Sequence, residues 1–407
     1  MTKTVTKTPS TPPASPDRRA GIYEYDDEVT SLLWYSTHSI LDLPPGPLIT
    51  AGRARDCDLV IPGDDVSKHH FRLHRRASGL WVTDDASTNG LGYASAGPPG
   101  VALKPSFNDK RDMGEGFPLK PGMTLVVGAE PYRFLALDAE MRKYHPTLIE
   151  ILGREDEVRS ASEAGETPGP ADLILAADGP GHLLITGKVG CEHAELARIV
   201  HKISKRRRLP IVEIHEVPDD RKRQNAILKD EAQRGTLVLH LPKDPKRIDP
   251  AFVSSMFSPS YQIRVIVTAR TPKQARRALG HQHWRTLMHA ALCPMVRRRA
   301  AIHRLIDDRL AALGSVLRVA DLTPHNQRAL LVNPWRDNLQ AVRETARRLD
   351  AIVRAEFSRT RAAAALGIPH QTFSNWYGGT MRMTKDLVPK ERAATLIAAQ
   401  LARAPGP

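Results

Sequence analysis

Three short runs of the chain carry residue types suited to holding a phosphate group. They are Gly52-Arg53, Val66-Ser67-Lys68-His69-His70 and Ser87-Thr88-Asn89-Gly90. A guanidinium offers planar, paired donors to phosphate oxygens, a hydroxyl adds a further donor, and a carboxamide can pair with extended backbone on both edges. Arg53, Ser67 and Asn89 together therefore suit a phosphorylated peptide, and Arg-centred loops are a recurring mode of phosphopeptide recognition. The alternative is a β-sandwich that binds nothing, on which these side chains merely tie loops together.

The three runs fall at the ends of predicted strands, where loops converge on one edge of a sheet. From Ser31 to about Asp138, β-rich runs (LLWYS, PLITAG, DLVIP, HHFRLHRR, LWVTDD, TLVVGAE, YRFLALD) alternate with Gly, Pro, Asp and Asn turns. That pattern predicts an all-β sandwich, assigned to residues 23–142, with a long Gly- and Pro-rich loop over 93–116. Residues 1–22 hold too few large apolar groups to offset ordering entropy and are expected to form a flexible tail. Phosphorylation of Thr6, Thr8 or Thr11 there would supply a ligand in cis or between molecules. Residues 143–172 are expected to be a linker, since GREDEVRSASEAGETPGPAD is acidic, small and broken by Pro and Gly.

Beyond it, HLLITG, PIVEIHEV, GTLVLHL and YQIRVIVTA alternate with helical stretches such as AELARIVHKISKRRR. This predicts parallel strands joined by helical crossovers over 173–282. The remainder is expected to be almost wholly helical, with a lid over 283–338 and a helix-turn-helix region over 339–407. The basic run Lys202, Lys205, Arg206, Arg207, Arg208 is expected to complement a helix dipole and face water, with DNA or an acidic partner as the alternative.

The order and spacing of the first three runs resemble the forkhead-associated (FHA) family. The resemblance implies that Arg53 and Ser67 bind the phosphate of a phosphothreonine and that Asn89 holds the peptide backbone. It implies auxiliary contacts from Lys68 and Thr88. Gly52, His70 and Gly90 take scaffold roles, His70 bracing the loops by hydrogen bonds and the glycines permitting turns.

HLLITGKVGCEHAELARIVHKISKRRRLPIVEIHEV resembles the P-loop region of the AAA+ domain in sigma-54-dependent transcription activators, with Gly187 and Gly190 at loop glycines. His193 stands where the phosphate-reaching lysine belongs, and Ala194 occupies the next position. GTLVLHLPKD resembles the strand that ends in Asp-Glu in that family, but His240 and Leu241 fill those places. The sigma-54-contacting G-A-F-T-G-A loop is not found. HWRTLMHAALCPMVRRRAAI and LLVNPWRDNLQAV resemble the lid, with Ala291 and Gln340 at expected arginines and Pro334, Trp335, Asn338 and Leu339 retained. The resemblance implies a pseudo-ATPase without cofactor or catalytic residues. Nucleotide binding without turnover, through loop amides and a helix N-terminus, and an unusual ATPase using His193 are the alternatives.

RTRAAAALGIPHQTFSNWYG, residues 359–378, resembles the Fis-type helix-turn-helix that ends such activators. It implies that His370, Gln371, Ser374 and Asn375 read base edges while Arg359, Arg361, Arg382 and Lys385 meet the backbone. A helical hairpin used for packing or dimerisation is the alternative.

Composition sets outer limits. The net charge of +14 over 407 residues favours a polyanionic partner somewhere on the surface. The three cysteines, Cys57, Cys191 and Cys293, show neither Cys-x-x-Cys nor Cys/His spacing, so neither a disulfide framework nor a metal site is expected and a reducing cytoplasm fits. No apolar run is long enough for a membrane span or leader. The expectation is a multidomain protein with an all-β FHA sandwich, an α/β AAA+-like (P-loop-type) domain, a helical lid and a C-terminal helix-turn-helix. Its expected role is phosphothreonine-binding signalling and transcription regulation in a bacterium, and its partner is a phosphothreonine protein made by a Ser/Thr kinase. DNA and a second copy of the chain are further candidate partners, and a membrane is not. A phospho-dependent scaffold without DNA contact and an unconventional nucleotide-binding protein are the competing functions.

Overall fold

The computed structural model describes residues 28–37, 39–94, 106–107, 116–128, 132–154, 170–179, 181–245 and 248–403. The tail 1–22, most of the loop 93–116 and the acidic stretch 155–169 lie outside the described residues.

The N-terminal strands are β1 (Ser31–Trp34), β2 (Ile40–Asp42), β3 (Leu48–Gly52), β4 (Leu59–Val60), β5 (Phe71–Arg76), β6 (Gly79–Asp84), β7 (Leu91–Ala94), β8 (Ser106–Phe107), β9 (Phe117–Pro118), β10 (Thr124–Val127) and β11 (Arg133–Leu137). They form two sheets, ordered β2-β1-β11-β10-β7-β8 and β4-β3-β5-β6-β9. Alternation places Leu32, Ile49, Ala51, Phe71, Leu73, Val82, Leu125, Phe134 and Ala136 in a common core between the sheets. Burying each large side chain contributes roughly 1.5–3 kcal/mol.

β1 and β11 are buried on both faces. Phe134 and Ala136 point into the sandwich, whereas Leu135 and Leu137 join a second core with Leu33 of β1. The cover for that outer face is α1 (Ala139–Leu152), whose Met141, Leu148, Ile151 and Leu152 pack in the same cluster. Residues 143–152, expected to be linker, are therefore helix, because the spacing of these apolar side chains makes an amphipathic stripe with an apolar sheet face to meet. Asp138 caps α1 by accepting from Met141 N at 2.8 Å. Its other oxygen accepts from Arg207 Nη1 at 2.8 Å, in an ion pair whose side chains are 11% and 1% exposed. At the other end Arg298, 1% exposed, donates to the carbonyls of Glu150 and Ile151 at 3.1 and 3.0 Å, satisfying carbonyls that the helix leaves open.

The second unit is an all-parallel sheet of β12 (His182–Thr186), β13 (Ile211–Ile214), β14 (Thr236–His240), β15 (Arg264–Ala269) and β16 (Leu287–Ala291), ordered β13-β14-β15-β12-β16. α2 (Pro170–Asp178) leads into it, and its connections carry α3 (His193–Lys202), α4 (Arg221–Ala226), α5 (Pro250–Met256), α6 (Pro272–Leu279) and α7 (His281–Trp284). β16 corrects the expectation of an all-helical chain after 283. Leu287–Ala291 pairs with β12 along its whole length, since an open edge of β12 offers ladder hydrogen bonds that override the weak local preference of LMHAA.

The basic run after α3 does not simply face water. Arg206, 9% exposed, donates to the carbonyls of Arg234 and Gly235 at 2.7 and 3.2 Å, and Arg207 makes the buried pair with Asp138. Buried carbonyls and a carboxylate need donors, and these guanidinium groups supply them.

The remaining helices are α8 (Ile302–Ala312), α9 (Pro324–Val332), α10 (Asn338–Arg354), α11 (Arg359–Ala365), α12 (His370–Ser374) and α13 (Lys390–Arg403). They share one core with α3, in which Trp335, Leu339, Ala346, Phe373, Trp376 and Tyr377 are buried. Among the described residues, no helix is long and apolar enough to cross a membrane.

Candidate functional site

The loops after β3, before β5 and before β7 meet at one edge of the sandwich. Arg53 N donates to Ser67 O at 2.9 Å and Ala54 N to Lys68 O at 3.0 Å, which zips the first loop to the second. The approach is so close that a Cβ on Gly52 would lie 2.2 Å from Lys68 O, so only glycine fits there. Arg53 Nε donates to Val66 O at 3.0 Å, while its two Nη groups make no hydrogen bond among the described residues. Ser67 Oγ accepts from Thr88 N at 3.0 Å, joining the second loop to the third. Its own hydroxyl proton remains free to donate outward. Asn89 Nδ2 donates to Asp65 O at 2.8 Å, which fixes the carboxamide and leaves Oδ1 as an acceptor. Arg53, Lys68, Thr88 and Asn89 are exposed.

His70 is fully buried beneath these loops. Ser67 N donates to its Nδ1 at 2.9 Å, so the ring proton sits on Nε2 and is donated to Gly90 O at 2.9 Å. One imidazole thus holds the second and third loops at a fixed separation. Gly90, at φ +79°, uses the left-handed conformation that glycine tolerates. Gly128 was not singled out in the sequence: its N donates to Gly90 O at 2.9 Å, and a Cβ on it would lie 2.7 Å from Asp65 O. Its signal was the glycine that ends the run TLVVG.

The result is a compact edge presenting a guanidinium, an ammonium, a hydroxyl and an oriented amide to solvent. Residues 49–94 match the family model of the FHA domain. No curated protein matches the chain. Among solved structures it is similar to NtrX from Brucella abortus in complex with ATP, at 15% identity over 57% of this chain and 72% of that one, with a TM-score of 0.37. It is similar to the FhaA FHA domain complexed with the intracellular domain of Rv3910, at 20% identity over 26% of this chain and 96% of that one, with a TM-score of 0.20. It is also similar to Mycobacterium tuberculosis EmbR in complex with a low-affinity phosphopeptide, at 18% identity over 27% of this chain and 24% of that one, with a TM-score of 0.21.

The loop after β12 is built differently from a phosphate cradle. Counted from Gly187, the P-loop pattern G-x-x-x-x-G-K-[ST] places Glu192 at the second glycine, His193 at the lysine and Ala194 at the hydroxyl. Glu192 sits at φ +60° as the N-cap of α3, and burial raises its carboxyl above the usual range. Glu192 and Glu195 put carboxylates where the helix start would otherwise attract phosphate, and Arg343 pairs with Glu195 at 2.6 Å and with Glu150 at 2.6 Å. Burial lowers the Arg343 pKa, but the hydrogen bonds to Glu150 and Glu195 outweigh it and hold the group charged. His193 points back into the fold, bonded through Nε2 to Gly187 O at 2.9 Å, and burial lowers its pKa. The start of α10 closes against the loop: Asn338 Nδ2 donates to Val189 O at 2.6 Å, and a Cβ on Gly190 would lie 2.0 Å from Asp337 O. The positions that the P-loop pattern gives to the phosphate-reaching lysine and the following hydroxyl are thus held by a half-buried imidazole and a methyl group.

The helical end sets its polar positions along one short helical stretch. His370, Gln371 and Asn375 are exposed and Ser374 is half-buried. They pair with one another along the helix, Gln371 Nε2 with Asn375 Oδ1 at 2.8 Å and Ser374 Oγ with His370 Nε2 at 3.3 Å. Ala362, Ala363 and Phe373 pack into the common core, and Gly367 makes the turn at φ +67°. Asn326, fully buried, ties the segment after α12 to α9 by donating to the carbonyls of Asp386 and Leu387 at 2.9 and 3.1 Å.

Proposed function

We propose that this chain is a phosphothreonine-reading signalling protein whose α/β unit serves as a scaffold and not as an ATPase. The observation that carries the reading is the convergence of Arg53, Ser67 and Asn89 on one exposed edge. Each is anchored through one group and leaves another free for a ligand. The free Nη groups, the Ser67 hydroxyl and the Lys68 ammonium suit a dianionic phosphate ester, and the Asn89 Oδ1 suits a peptide N–H. The pseudo-ATPase reading is supported by Glu192, His193, Ala194, His240 and Leu241 at positions of phosphate and metal chemistry, and by the lid residues seated against Gly190.

Calorimetry of the full chain with a degenerate phosphothreonine peptide library and its unphosphorylated counterpart tests the first part. Binding of the phosphorylated peptides alone, weakened about 10- to 150-fold in Arg53→Ala by loss of a charged hydrogen bond of roughly 1.5–3 kcal/mol, is the expected result. Equal, negligible heats for both libraries refute it.

DNA binding through α12 is a second reading, favoured by the exposure of His370, Gln371 and Asn375 after the Gly367 turn. It makes the chain a transcription regulator, and steeply salt-dependent binding to duplex DNA is its signature. Without such binding the chain is a phospho-dependent scaffold.

A further inference from the structure

At the carboxyl ends of β13 and β14, three side chains gather metal-binding atoms. A carboxylate oxygen of Glu213 and one ring nitrogen each of His215 and His240 lie within 4.8 Å of one another. Glu213 Oε2 is 3.1 Å from His240 Nε2, and the two imidazoles stack with centroids 4.5 Å apart and planes 16° off parallel. The backbone explains the convergence. Glu213 and His215 are two apart along an extended chain and share a face, and Ile214 pairs with Leu239 on the neighbouring parallel strand, which brings His240 alongside. The carboxyl ends of strands in an open parallel sheet are also where such folds hold ligands.

We propose that Glu213, His215 and His240 bind a divalent transition-metal ion of the zinc type, with solvent completing its coordination. Two imidazoles and one carboxylate suit zinc, cobalt or nickel, whereas magnesium takes oxygen ligands. The outer shell is in place. His240 Nδ1 lies 3.0 Å from Thr268 Oγ1 on β15, which holds the ring so that Nε2 faces Glu213. Arg198 reaches Glu213 through Nε and Nη2 at 2.6 and 2.9 Å, yet Oε1 keeps a second lone pair, and Oε2 regains one when His240 Nε2 gives up its hydrogen bond to become a ligand. Arg198 is 56% exposed and can swing into solvent as the cation enters. His215 is exposed and its ring makes no hydrogen bond among the described residues, so it is free to leave its stack on His240 and aim a nitrogen at the cation, at the ~2.0–2.1 Å required of a zinc ligand. The site stands on this geometry and does not depend on phosphothreonine binding or on the state of the P-loop.

The test uses the full chain stripped with a chelator and carrying Cys57→Ser, because Asp56, Cys57 and His69 form another such cluster. Zn2+ is titrated by calorimetry, and Co2+ is followed by visible absorption, whose ligand-field bands report nitrogen and oxygen coordination. One ion per chain is expected in this background, with affinity falling about 10-fold or more in His215→Ala and in His240→Ala. His215→Ala alters only an exposed side chain, so a folded protein remains even where His240→Ala disturbs the sheet. Absence of Zn2+ binding in the Cys57→Ser chain overturns the proposal, as does binding that is unchanged in His215→Ala.

Discussion

Replacing His70 with alanine isolates a positioning role from a contact role. The imidazole accepts from Ser67 N and donates to Gly90 O, and both partners belong to ligand-facing loops. Its loss strands the Ser67 N–H, which costs about 1–3 kcal/mol, whereas Gly90 O keeps its bond from Gly128 N at 2.9 Å. The vacated volume adds a cavity contribution at a fully buried position. The main-chain bonds from His70 N to Ala51 O and from Asp85 N to His70 O survive, so the strand itself persists. The expected loss is about 3 kcal/mol, read by equilibrium urea unfolding. Calorimetry should show weakened phosphothreonine peptide binding although His70 lies below the loops, because Ser67 and Gly90 lose the ring that links them. Arg53→Ala should behave oppositely, losing the ligand while shedding only the part-buried bond to Val66 O, roughly 0.5–1.5 kcal/mol. A His70→Ala chain within about 0.5 kcal/mol of the parent, with unchanged peptide affinity, would refute the bracing argument.

Removing Arg207 should destabilise the fold by roughly 3–5 kcal/mol in urea unfolding, since Asp138 would stay buried as an unpaired charge at the start of α1. Stability should also fall with acidification. His182 and His201 are held neutral by burial, with pKa values near 4 against 6.5 when unfolded, so between those pH values the unfolded chain binds more protons. Each contributes up to roughly 3 kcal/mol that is present above pH 6.5 and lost as the pH falls toward 4; melting curves across that range, compared with His201→Asn, check the slope. Gly190→Ala should push the lid loop away from β12 because the new methyl group meets Asp337 O. Faster hydrogen exchange around Asp337 and Asn338, with a loss of about 1–3 kcal/mol, is the expected reading.

The way the units join bears on signalling. Leu33, Leu135 and Leu137 bury the outer face of the sandwich against α1, and α1 is held in turn by Arg298 and Arg343. Arg343 lies on α10, which also packs against α11, so one chain of buried contacts connects the FHA strands to the helical end.

Sequence by itself determined the features that depend on near neighbours. The sandwich strands follow from alternating apolar residues between turn formers, the parallel strands from continuous apolar runs, and the residues that meet at the sandwich edge from three short runs of chemically distinct type. The departures of His193, Ala194, His240 and Leu241 from the P-loop pattern were equally readable, because residue identity is visible without coordinates. Tertiary structure alone decided what required a distant partner. After Arg133, β11 is apolar at every position because both its faces are covered, but which helix covers the second face is set by surfaces that meet only in the folded chain. LMHAA became a strand because an edge of β12 lay open, and Arg206 and Arg207 turned inward because carbonyls and a carboxylate awaited them. Glu213, His215 and His240 lie 27 positions apart at their extremes, and only the register of β13 against β14 brings them together. Local patterns record the preferences of a segment, whereas burial, pairing and coordination are properties of the surfaces that meet it.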